Sequence, residues 1–290
     1  MVKFRIFNFD SDAKQVISLI NKNLNPNYSE ENLIWKHYKN PHQISTGAVA
    51  VKNSSIIACV FYMSYDLKLS TGERIKAARP VDGCTALEER GKGVFKKLMK
   101  YCLENFHYPF RFLFANPNQF SFPEFLKMGW ERHAGYQYFW GIIKPLHPIR
   151  SPKIKLISLI NFSENSLYSH FNSDELRWLN WRYEYKKYKK VLFNNGNNLN
   201  LLIYRCAKMK GLRTLIICDY LGSEKHLNEI ILEACKLEKT IFIYYLSYNK
   251  NSRINCLLKV KHKDAVIVTT PKLNPSKNIF FTLADLEGTT

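Results

Sequence analysis

The sequence predicts an α/β (α+β) protein made of two domains that follow one another along the chain. Short apolar runs with strand-like patterns alternate with segments whose apolar residues recur at helical spacing. Hydrophobic residues make up 46% of the chain and aromatic residues 14%, which is typical of globular proteins. The run Trp35-Lys36-His37-Tyr38 has an echo in Trp181-Arg182-Tyr183. In a chain long enough for two ordinary domains, this echo predicts a duplication.

The first domain is predicted to contain a sheet with helices between its strands. Helical spacing indicates a helix over residues 12–23, with Ser11 or Asp10 as its N-cap. A second helix over residues 30–38 ends before Asn40-Pro41, because proline does not continue a helix. The other predicted elements are strands over 4–7, 47–52, 55–65, 74–84, 110–115 and 136–143, and helices over 94–106 and 122–128.

A proline-rich segment marks the predicted domain boundary. Pro145, Pro148 and Pro152 divide the chain into domains at residues 1–145 and 146–290. The second domain is predicted to repeat the order of the first. Its predicted elements are strands over 200–206, 213–220, 240–246 and 265–269 and a helix over 226–237.

The charge of the chain is strongly unbalanced. Lysine and arginine number 43 against 24 aspartate and glutamate, which gives a formal net charge of +19. Such a surplus attracts polyanions such as nucleic acid, anionic lipid or a phosphorylated small molecule. A codon bias spread over solvated surfaces explains the same surplus equally well. The charge alone therefore leaves both interpretations open.

The cysteines and the apolar runs indicate the compartment. The seven cysteines form no CxxC pair, which argues against a disulfide framework or a zinc site and for reduced thiols. No apolar run reaches the roughly 20 residues that span a bilayer, and no apolar signal region follows Met1. We expect a cytoplasmic protein without membrane insertion or bound metal, present as a monomer or homodimer.

The clearest chemical signal is the turn from Glu88 to Gly93. It follows an apolar strand and opens an amphipathic helix, whose first amides have no intrahelical partner. Gly91 and Gly93 permit positive φ and remove the Cβ atoms that would block a phosphate, although a tight structural turn uses glycine in the same way. Arg90 and Lys92 add positive charge. The corresponding segment of the second domain, residues 221–225, lacks the paired glycines, so only the first domain is predicted to bind pyrophosphate.

This turn resembles the acyl-CoA loop of the GNAT acyltransferase superfamily, whose pattern is Gln/Arg-x-x-Gly-x-Gly/Ala. Glu88 stands at the first position in place of Gln or Arg. The resemblance implies two tandem GNAT-like domains, each a mixed, mostly antiparallel sheet flanked by helices, and an acyl-CoA co-substrate. The residues that it implies for acyl-CoA binding are Val81, Cys84, Arg90, Gly91, Lys92, Gly93, Val94, Phe95 and Asn118.

A second block supports the same resemblance. GNAT proteins carry Asn-x-x-Ala-x-x-Leu-Tyr-Glu-Lys-x-Gly-Phe after the fifth strand. The matching or conservatively substituted positions here are Asn118, Lys127, Gly129 and Trp130. Asn118 is implied to hydrogen-bond the pantetheine arm. The position of the tyrosine that often protonates the leaving thiolate is Phe125, which cannot donate a proton, so thiolate departure needs another donor or none.

The resemblance also implies where the reaction occurs. Strands four and five would splay apart around the thioester, and a backbone amide near residues 81–83, in the region of Gly83, would stabilise the oxyanion. The attacking amine needs a base, because most amines are cationic at neutral pH. Asp82 is the best placed candidate, and a capping role for Asp82 fits the sequence equally well. The other candidates are Glu73, Glu124 and His133.

The second domain is predicted to supply the acceptor site. Arg177, Trp181, Arg182 and Tyr183 cluster basic and aromatic groups that can stack a nucleobase or sugar and pair with its phosphates. A helix that packs its tryptophans in the core gives the same pattern. Tandem GNAT proteins of this plan include enzymes that acylate nucleotide-linked amino sugars. The resemblance thus implies transfer of an acetyl or short hydroxyacyl group, such as 3-hydroxybutanoyl, to the amine of a dTDP- or UDP-linked aminodeoxysugar.

Two alternatives keep the fold and change the function. Peptidoglycan-type ligases that use aminoacyl-tRNA are also tandem GNAT folds, and RNA contacts would explain the charge. They generally lack the glycine loop. A non-catalytic, basic nucleic-acid-binding module predicts no thiol release from acyl-CoA and a steep salt dependence of binding. We expect small-molecule partners, acyl-CoA and the amino sugar, rather than nucleic acid.

Overall fold

A computed structural model of the protein describes residues 1–69, 73–106, 110, 112–144, 153–157, 173–184, 187–195, 198–248, 254–270 and 279–286. The chain divides into two compact units. Unit 1 comprises Met1–Arg132 and Ile267–Phe280, and unit 2 comprises His133–Val266 and Phe281–Thr290. The boundary prolines at 145, 148 and 152 lie outside the described residues.

The first sheet is mixed and mostly antiparallel. Its strands are β1 (Lys3–Ile6), β2 (Thr46–Lys52), β3 (Ser55–Leu69), β4 (Arg74–Thr85), β5 (Phe112–Ala115), β6 (Glu131–His133), β14 (Ile267–Thr269) and β15 (Ile279–Phe280). Their order is β1-β2-β3-β4-β5-β14-β6, and β15 pairs with β3. Strands β1 to β4 pair antiparallel, whereas β5 is parallel to β4. A helix between β4 and β5 makes this parallel step possible.

The helices of unit 1 cover the sheet. They are α1 (Phe9–Asn23), α2 (Glu30–His37), α3 (Val94–Asn105) and α4 (Phe122–Lys127). Helix α1 begins before the predicted residue because Asn8, and not Ser11 or Asp10, is its N-cap. The Asn8 side chain accepts a hydrogen bond from the amide of Ser11. The apolar faces of α1 and α3, with Val16 and Leu98 fully buried, pack on β3 and form the core of unit 1.

The second sheet lies in unit 2. Its strands are β7 (Tyr136–Ile143), β8 (Lys153–Ile157), β9 (Lys189–Asn195), β10 (Asn198–Met209), β11 (Leu212–Leu221), β12 (Phe242–Tyr248) and β13 (Cys256–Asp264), in the order β13-β7-β12-β11-β10-β9-β8. Strands β11 and β12 are parallel. The helices are α5 (Ser173–Arg182), α6 (Leu227–Leu237) and α7 (Leu283–Leu286). Helix α6 packs on β9 and β10 over an apolar core.

The two sheets share one strand order, which supports the predicted duplication. Strands β1 to β5 in unit 1 and β8 to β12 in unit 2 run antiparallel as far as the fourth, and the fifth is parallel. In each sheet the next strand comes from the other half of the chain, because β14 follows β5 and β7 follows β12. The division in the structure therefore differs from a single cut at residue 145. The strand predicted at 136–143 belongs to the second sheet, and the one predicted at 265–269 belongs to the first.

Candidate active site

The glycine turn lies between β4 and α3. A short 3₁₀ turn, Leu87–Glu89, follows the strand, and α3 begins at Val94 with Gly93 as its N-cap. The φ angles of Gly91 and Gly93 are +75° and +72°, in the left-handed region that favours glycine. A Cβ atom added at either glycine would meet no heavy atom within 4 Å. Since no side chain caps α3, the first amides of the helix face an open space and can receive an anion.

The acidic residue Glu89 within this turn forms ion pairs with two lysines. Glu89 is buried and accepts hydrogen bonds from the Nζ atoms of Lys52 at 2.6 Å and Lys92 at 3.1 Å. These two contacts hold the pKa of Glu89 below its usual value. More than half of the Lys92 side chain remains exposed, so the lysine can still approach a bound anion.

The other charged residues of the turn have different surroundings. The Arg90 guanidinium donates to the carbonyl oxygen of Thr85 at 3.1 Å and to Oδ1 of Asn23 at 3.3 Å. Arg90 thus ties the turn to α1. Glu88, at the position where GNAT proteins have Gln or Arg, is exposed. The groups that this turn offers to a candidate anion are therefore its backbone amides.

Strand β4 carries a bulge just before this turn. In the register of β3 and β4, Asp82 and Gly83 together face the single residue Val60. The φ angle of Asp82 is +52°. A bulge leaves one residue outside the ladder of hydrogen bonds. A Cβ atom on Gly83 would lie 2.9 Å from the ring of Phe95, so the bulge packs directly on the first turn of α3.

Strands β4 and β5 diverge before the bulge. Their parallel pairing consists of Ala77 with Phe112 and Ala78 with Leu113. The remaining residues of β4, including Val81 and Cys84, lie beyond this pairing. Val81 is half-buried, and Cys84 is buried with its Sγ atom 3.7 Å from that of Cys59. Strand pairing between β4 and β5 therefore ends at Ala78, before the bulge, which agrees with the gap that the resemblance implies.

The Asp82 carboxylate is the centre of a buried polar cluster. It accepts hydrogen bonds from Tyr28 Oη at 2.7 Å, Lys36 Nζ at 2.7 Å and His37 Nε2 at 2.9 Å. The side chains of Lys36, His37 and Asp82 are all less than one-tenth exposed. The His37 ring also stacks on Phe61 of β3 at 4.1 Å between centroids. The cluster thus joins α2 and the residue Tyr28 before it to the bulge.

The electrostatics of this cluster argue against the predicted role of Asp82 as a base. Burial raises the pKa of Asp82, but the charge of Lys36 and the hydrogen bond from His37 outweigh it and hold that pKa well below its usual value. Burial lowers the pKa of His37, which is therefore neutral at pH 7 and donates its Nε2 proton to Asp82. A carboxylate with three donors and a depressed pKa is a weak proton acceptor. The contacts favour a structural anion.

The other predicted bases have contacts of their own. Glu73 lies at the far end of β4, about 30 Å from Asp82 at a rise of about 3.3 Å per residue. Glu124 forms an ion pair with Lys127 at 2.7 Å. His133 is partly buried, and its burial lowers its pKa. Glu73 therefore lies far from the bulge along the strand, and the Glu124 carboxylate is paired with Lys127.

The second predicted block forms the start of α4. Oδ1 of Asn118 accepts hydrogen bonds from the amides of Phe120 at 3.0 Å and Ser121 at 2.9 Å. Asn118 is exposed, and its side-chain oxygen shapes the turn. Phe125 is buried and packs edge-on against Trp130 at 4.8 Å. The residue at the tyrosine position is therefore part of the core.

The structure places most of the predicted acceptor residues in the core of unit 2. Trp181, Arg182 and Tyr183 are buried, the last two at 1% exposure each. The Tyr183 hydroxyl donates to Asp219 at 3.3 Å. Arg177 is exposed and forms an ion pair within α5. Buried side chains cannot stack on a ligand in solution. The interpretation of this segment as a helix that packs in the core therefore fits Trp181, Arg182 and Tyr183.

Two further observations concern metals and membranes. Within the described part of the chain, no group of three or more His, Cys, Asp and Glu side chains could hold a metal ion. No described helix is both long enough and apolar enough to cross a membrane.

The sequence itself matches a known domain. Residues 6–133 match the family model of an acetyltransferase (GNAT) domain. Unit 1 contains a GNAT acetyltransferase domain. The match includes the bulge, the glycine turn and the start of α4, and it confirms the predicted acyltransferase enzyme. No curated protein matches the chain by sequence.

Solved structures extend the likeness over both units. A GCN5-related N-acetyltransferase from Anabaena variabilis has a TM-score of 0.70 at 11% identity, over 93% of this chain and 72% of that one. A tandem GNAT protein from the clavulanic acid biosynthesis pathway has a TM-score of 0.54 at 10% identity, over 94% and 99%. A glucosamine N-acetyltransferase region of a fungal multi-domain enzyme has a TM-score of 0.58 at 11% identity, over 93% and 38%. At these identities the likeness concerns the fold, and it confirms the predicted tandem GNAT architecture.

Proposed function

We propose that the protein transfers an acyl group from acyl-CoA to the amine of a nucleotide-linked amino sugar. The single observation that carries the donor half of this proposal is the turn with Gly91 and Gly93 in left-handed conformations at the start of α3. The turn offers backbone amides at the positive end of a helix, which is the arrangement that binds a pyrophosphate. The GNAT match over the same residues agrees with acyl-CoA as the co-substrate.

The proposed reaction is a direct attack in a ternary complex. The amine nitrogen attacks the thioester carbonyl carbon, and the carbonyl oxygen becomes an oxyanion. An amide at the bulge of Asp82 and Gly83 donates to that oxyanion, because a bulged residue is not committed to the β3 ladder. The carbon–sulfur bond then breaks, and the proton that the nitrogen loses passes through solvent to the departing CoA thiolate, which leaves as the thiol. Phe125 supplies no proton to this thiolate.

The acceptor half of the proposal rests on charge and on precedent. A surplus of 19 positive charges favours an acceptor that carries phosphates. One structural neighbour is named for glucosamine N-acetyltransfer, so a GNAT fold of this kind has an amino sugar as acceptor in that protein. A dTDP- or UDP-linked aminodeoxysugar combines both features. The acyl group that we propose is acetyl or a short hydroxyacyl chain such as 3-hydroxybutanoyl.

A thiol-release assay tests the reaction. The purified protein is incubated with acetyl-CoA or 3-hydroxybutanoyl-CoA and with UDP- or dTDP-linked aminodeoxysugars, and free thiol is measured. We expect release that depends on the acceptor and produces an amide detectable by mass spectrometry. Absence of release across the panel, together with salt-sensitive RNA binding, would favour the tRNA-dependent or nucleic-acid-binding alternatives.

A pair of glycine variants tests the donor site. Gly91→Glu places a carboxylate where the pyrophosphate is proposed to bind, so we expect the dissociation constant for acetyl-CoA to rise by roughly 100-fold, or about 2.7 kcal/mol. Gly211→Glu is the matched control, because Gly211 has a φ of +81° and an added Cβ there also meets no atom within 4 Å. Calorimetry with acetyl-CoA should give wild-type binding for the control. Equal binding by both variants would contradict the proposed donor site.

A further inference from the structure

The cluster around Asp82 is costly by the usual measures of stability. Burying a carboxylate and an ammonium group carries a desolvation cost that is on the order of what a good ion pair returns. A left-handed backbone at a residue other than glycine adds strain. Well-packed apolar side chains would stabilise the same place at least as well. Stability therefore does not account for the cluster, and its geometry points to another role.

The geometry of the cluster fixes the carboxylate completely. Lys36 binds Oδ1, while Tyr28 and His37 both bind Oδ2, so the carboxylate cannot rotate. The His37 ring lies flat on Phe61, which pairs with Val81 in the register of β3 and β4. Helix α2 thereby holds both strands next to the bulge. Asp82 itself is one of the two bulged residues, so fixing its side chain also fixes its φ of +52°.

The bulge in turn contacts the first turn of α3. The Cα atom of Gly83 lies so close to the Phe95 ring that a Cβ atom would be 2.9 Å from it. Phe95 belongs to the first turn of α3, which begins at the glycine turn. A relaxed bulge at Asp82 would let the backbone amides shift relative to the thioester. A misplacement of about 1 Å can cost about 100-fold in rate when the groups concerned stabilise a transition state.

We propose that Tyr28, Lys36 and His37 are positioning residues that hold Asp82 in its left-handed conformation and so aim the backbone amide of the bulge at the thioester oxygen. The inference rests on the function proposed above. It assigns the cluster to the chemical step and not to donor binding, because the cluster contacts the bulge and not the glycine turn. It predicts a loss of kcat without a matching loss of acyl-CoA affinity.

Three variants separate this role from a purely structural one. Asp82→Asn and Lys36→Met each leave one buried partner uncompensated, whereas the double variant removes both charges. We expect both single variants to lose stability and the double variant to regain most of it. In all three, kcat per folded protein should fall roughly 10- to 100-fold. The dissociation constant for acetyl-CoA should stay within about twofold of wild type. A kcat that recovers together with stability in the double variant would overturn the proposal.

A milder pair of variants guards against misfolding. Tyr28→Phe removes only the hydroxyl that donates to Asp82, and we expect kcat to fall roughly 3- to 10-fold. Tyr204→Phe is the matched control in unit 2, because the hydroxyl of Tyr204 donates to Glu238 at 3.0 Å in the same way. Its kcat should equal that of wild type. Equal kcat values for both variants would contradict the inference.

One measurement needs no activity and keeps the two proposals distinguishable. Hydrogen exchange of peptides covering residues 79–85 should be faster in Asp82→Asn than in wild type, while peptides from unit 2 are unchanged. If wild-type protein releases no thiol from any donor, the proposed function fails. If wild-type protein is active and exchange at 79–85 is the same in the variant, the positioning role fails instead.

Discussion

The two units arrange the same elements around different turns. In unit 1 an added Cβ at Gly91 meets nothing within 4 Å, and the start of α3 is open. At the corresponding place in unit 2, a Cβ on Gly222 would lie 2.3 Å from Oδ1 of Asn200. That oxygen accepts hydrogen bonds from the amide of Ser223 at 2.8 Å and the hydroxyl of Tyr220 at 3.0 Å. In unit 2 the Asn200 side chain therefore satisfies the backbone amide of Ser223. In unit 1 no side chain caps the first amides of α3, so they are open to a ligand.

The two units also differ in the charge of the aspartate on the fourth strand of each sheet. Asp82 lies in a bulge of β4 and binds Lys36, so its pKa is held low. Asp219 lies next to a bulge of β11 and accepts a hydrogen bond from Tyr183. Burial, together with the nearby charge of Asp285, raises the pKa of Asp219 to about 8. Unit 1 therefore keeps a charged carboxylate, Asp82, at its bulge. Unit 2 instead keeps a neutral carboxylic acid, Asp219, beside its own bulge.

The largest expected difference between the units is in stability. Asp82→Asn leaves the Lys36 ammonium buried without its counter-ion, so we expect a loss of about 3–5 kcal/mol in the free energy of unfolding. Asp219→Asn replaces an acid that is already neutral at pH 7, so we expect a change within about 1 kcal/mol. Urea denaturation followed by tryptophan fluorescence measures both. Similar losses in the two variants would break the comparison.

The sequence predicted unit 1 better than unit 2, and the reason is physical. The glycine turn, the strand before it and the helix after it are consecutive in the chain, so the sequence pattern around Gly91 and Gly93 predicts them directly. The exchange of β7 and β14 between the sheets depends on pairing between distant segments, which no local pattern specifies. Strand β13 is mostly exposed at a sheet edge, so its residues lack the alternation of a half-buried strand.

The polar cluster at Asp82 could not be assembled from the sequence for a similar reason. Asp82 and Lys36 are 46 residues apart along the chain, with strands β2 and β3 between them, and their meeting depends on how α2 packs. The single local signal was the Trp35-Lys36-His37-Tyr38 segment, whose echo at Trp181 led to an acceptor site in the second domain. In both units the basic-aromatic segment instead lies near the aspartate of the fourth strand. The echo therefore indicated a shared packing arrangement.

The next largest difference is in the pH dependence of stability. The pKa of Asp219 is about 8 in the folded protein and about 4 in the unfolded chain, so the folded state holds a proton that the unfolded state has lost. Stability that Asp219 contributes at low pH is therefore lost as the pH rises from about 4 to 8, at up to roughly 1.4 kcal/mol per pH unit. The charges of Asp285 and Glu175 also raise the pKa of Asp219, whereas the hydrogen bond from Tyr183 lowers it.

Urea denaturation between pH 5 and pH 8 measures this slope. We expect the fall in stability to be shallower in Asp219→Asn than in wild type by about 1 kcal/mol per pH unit. Asp82 has the opposite sign, because its lowered pKa adds stability above pH 4 that is lost only in acid. Its ionisation therefore contributes no slope in this range. An unchanged slope in Asp219→Asn would show that the acid is ionised at neutral pH, like Asp82.

The contrast between an open and a filled turn predicts a smaller difference. Gly222→Ala brings a Cβ to 2.3 Å from Asn200, so the side chain or the turn must move, and we expect a loss of about 2–3 kcal/mol in the free energy of unfolding. Gly91→Ala meets no atom and carries only the strain of a positive φ, about 1 kcal/mol. Thermal or urea denaturation compares them. A larger loss for Gly91→Ala would mean that its turn is not open.

The smallest expected effect concerns the surface of α5. Arg177 is exposed and pairs with Asp174 one turn away, and exposed pairs of this kind contribute less than about 0.5 kcal/mol. Arg177→Ala should therefore leave stability, kcat and the KM for a nucleotide-linked amino sugar close to wild type. This residue is nevertheless the one member of the predicted acceptor set whose side chain can reach a ligand without unfolding the core. A tenfold rise in the acceptor KM, with unchanged KM for acetyl-CoA, would place the acceptor phosphates against α5 and give unit 2 a direct part in the reaction.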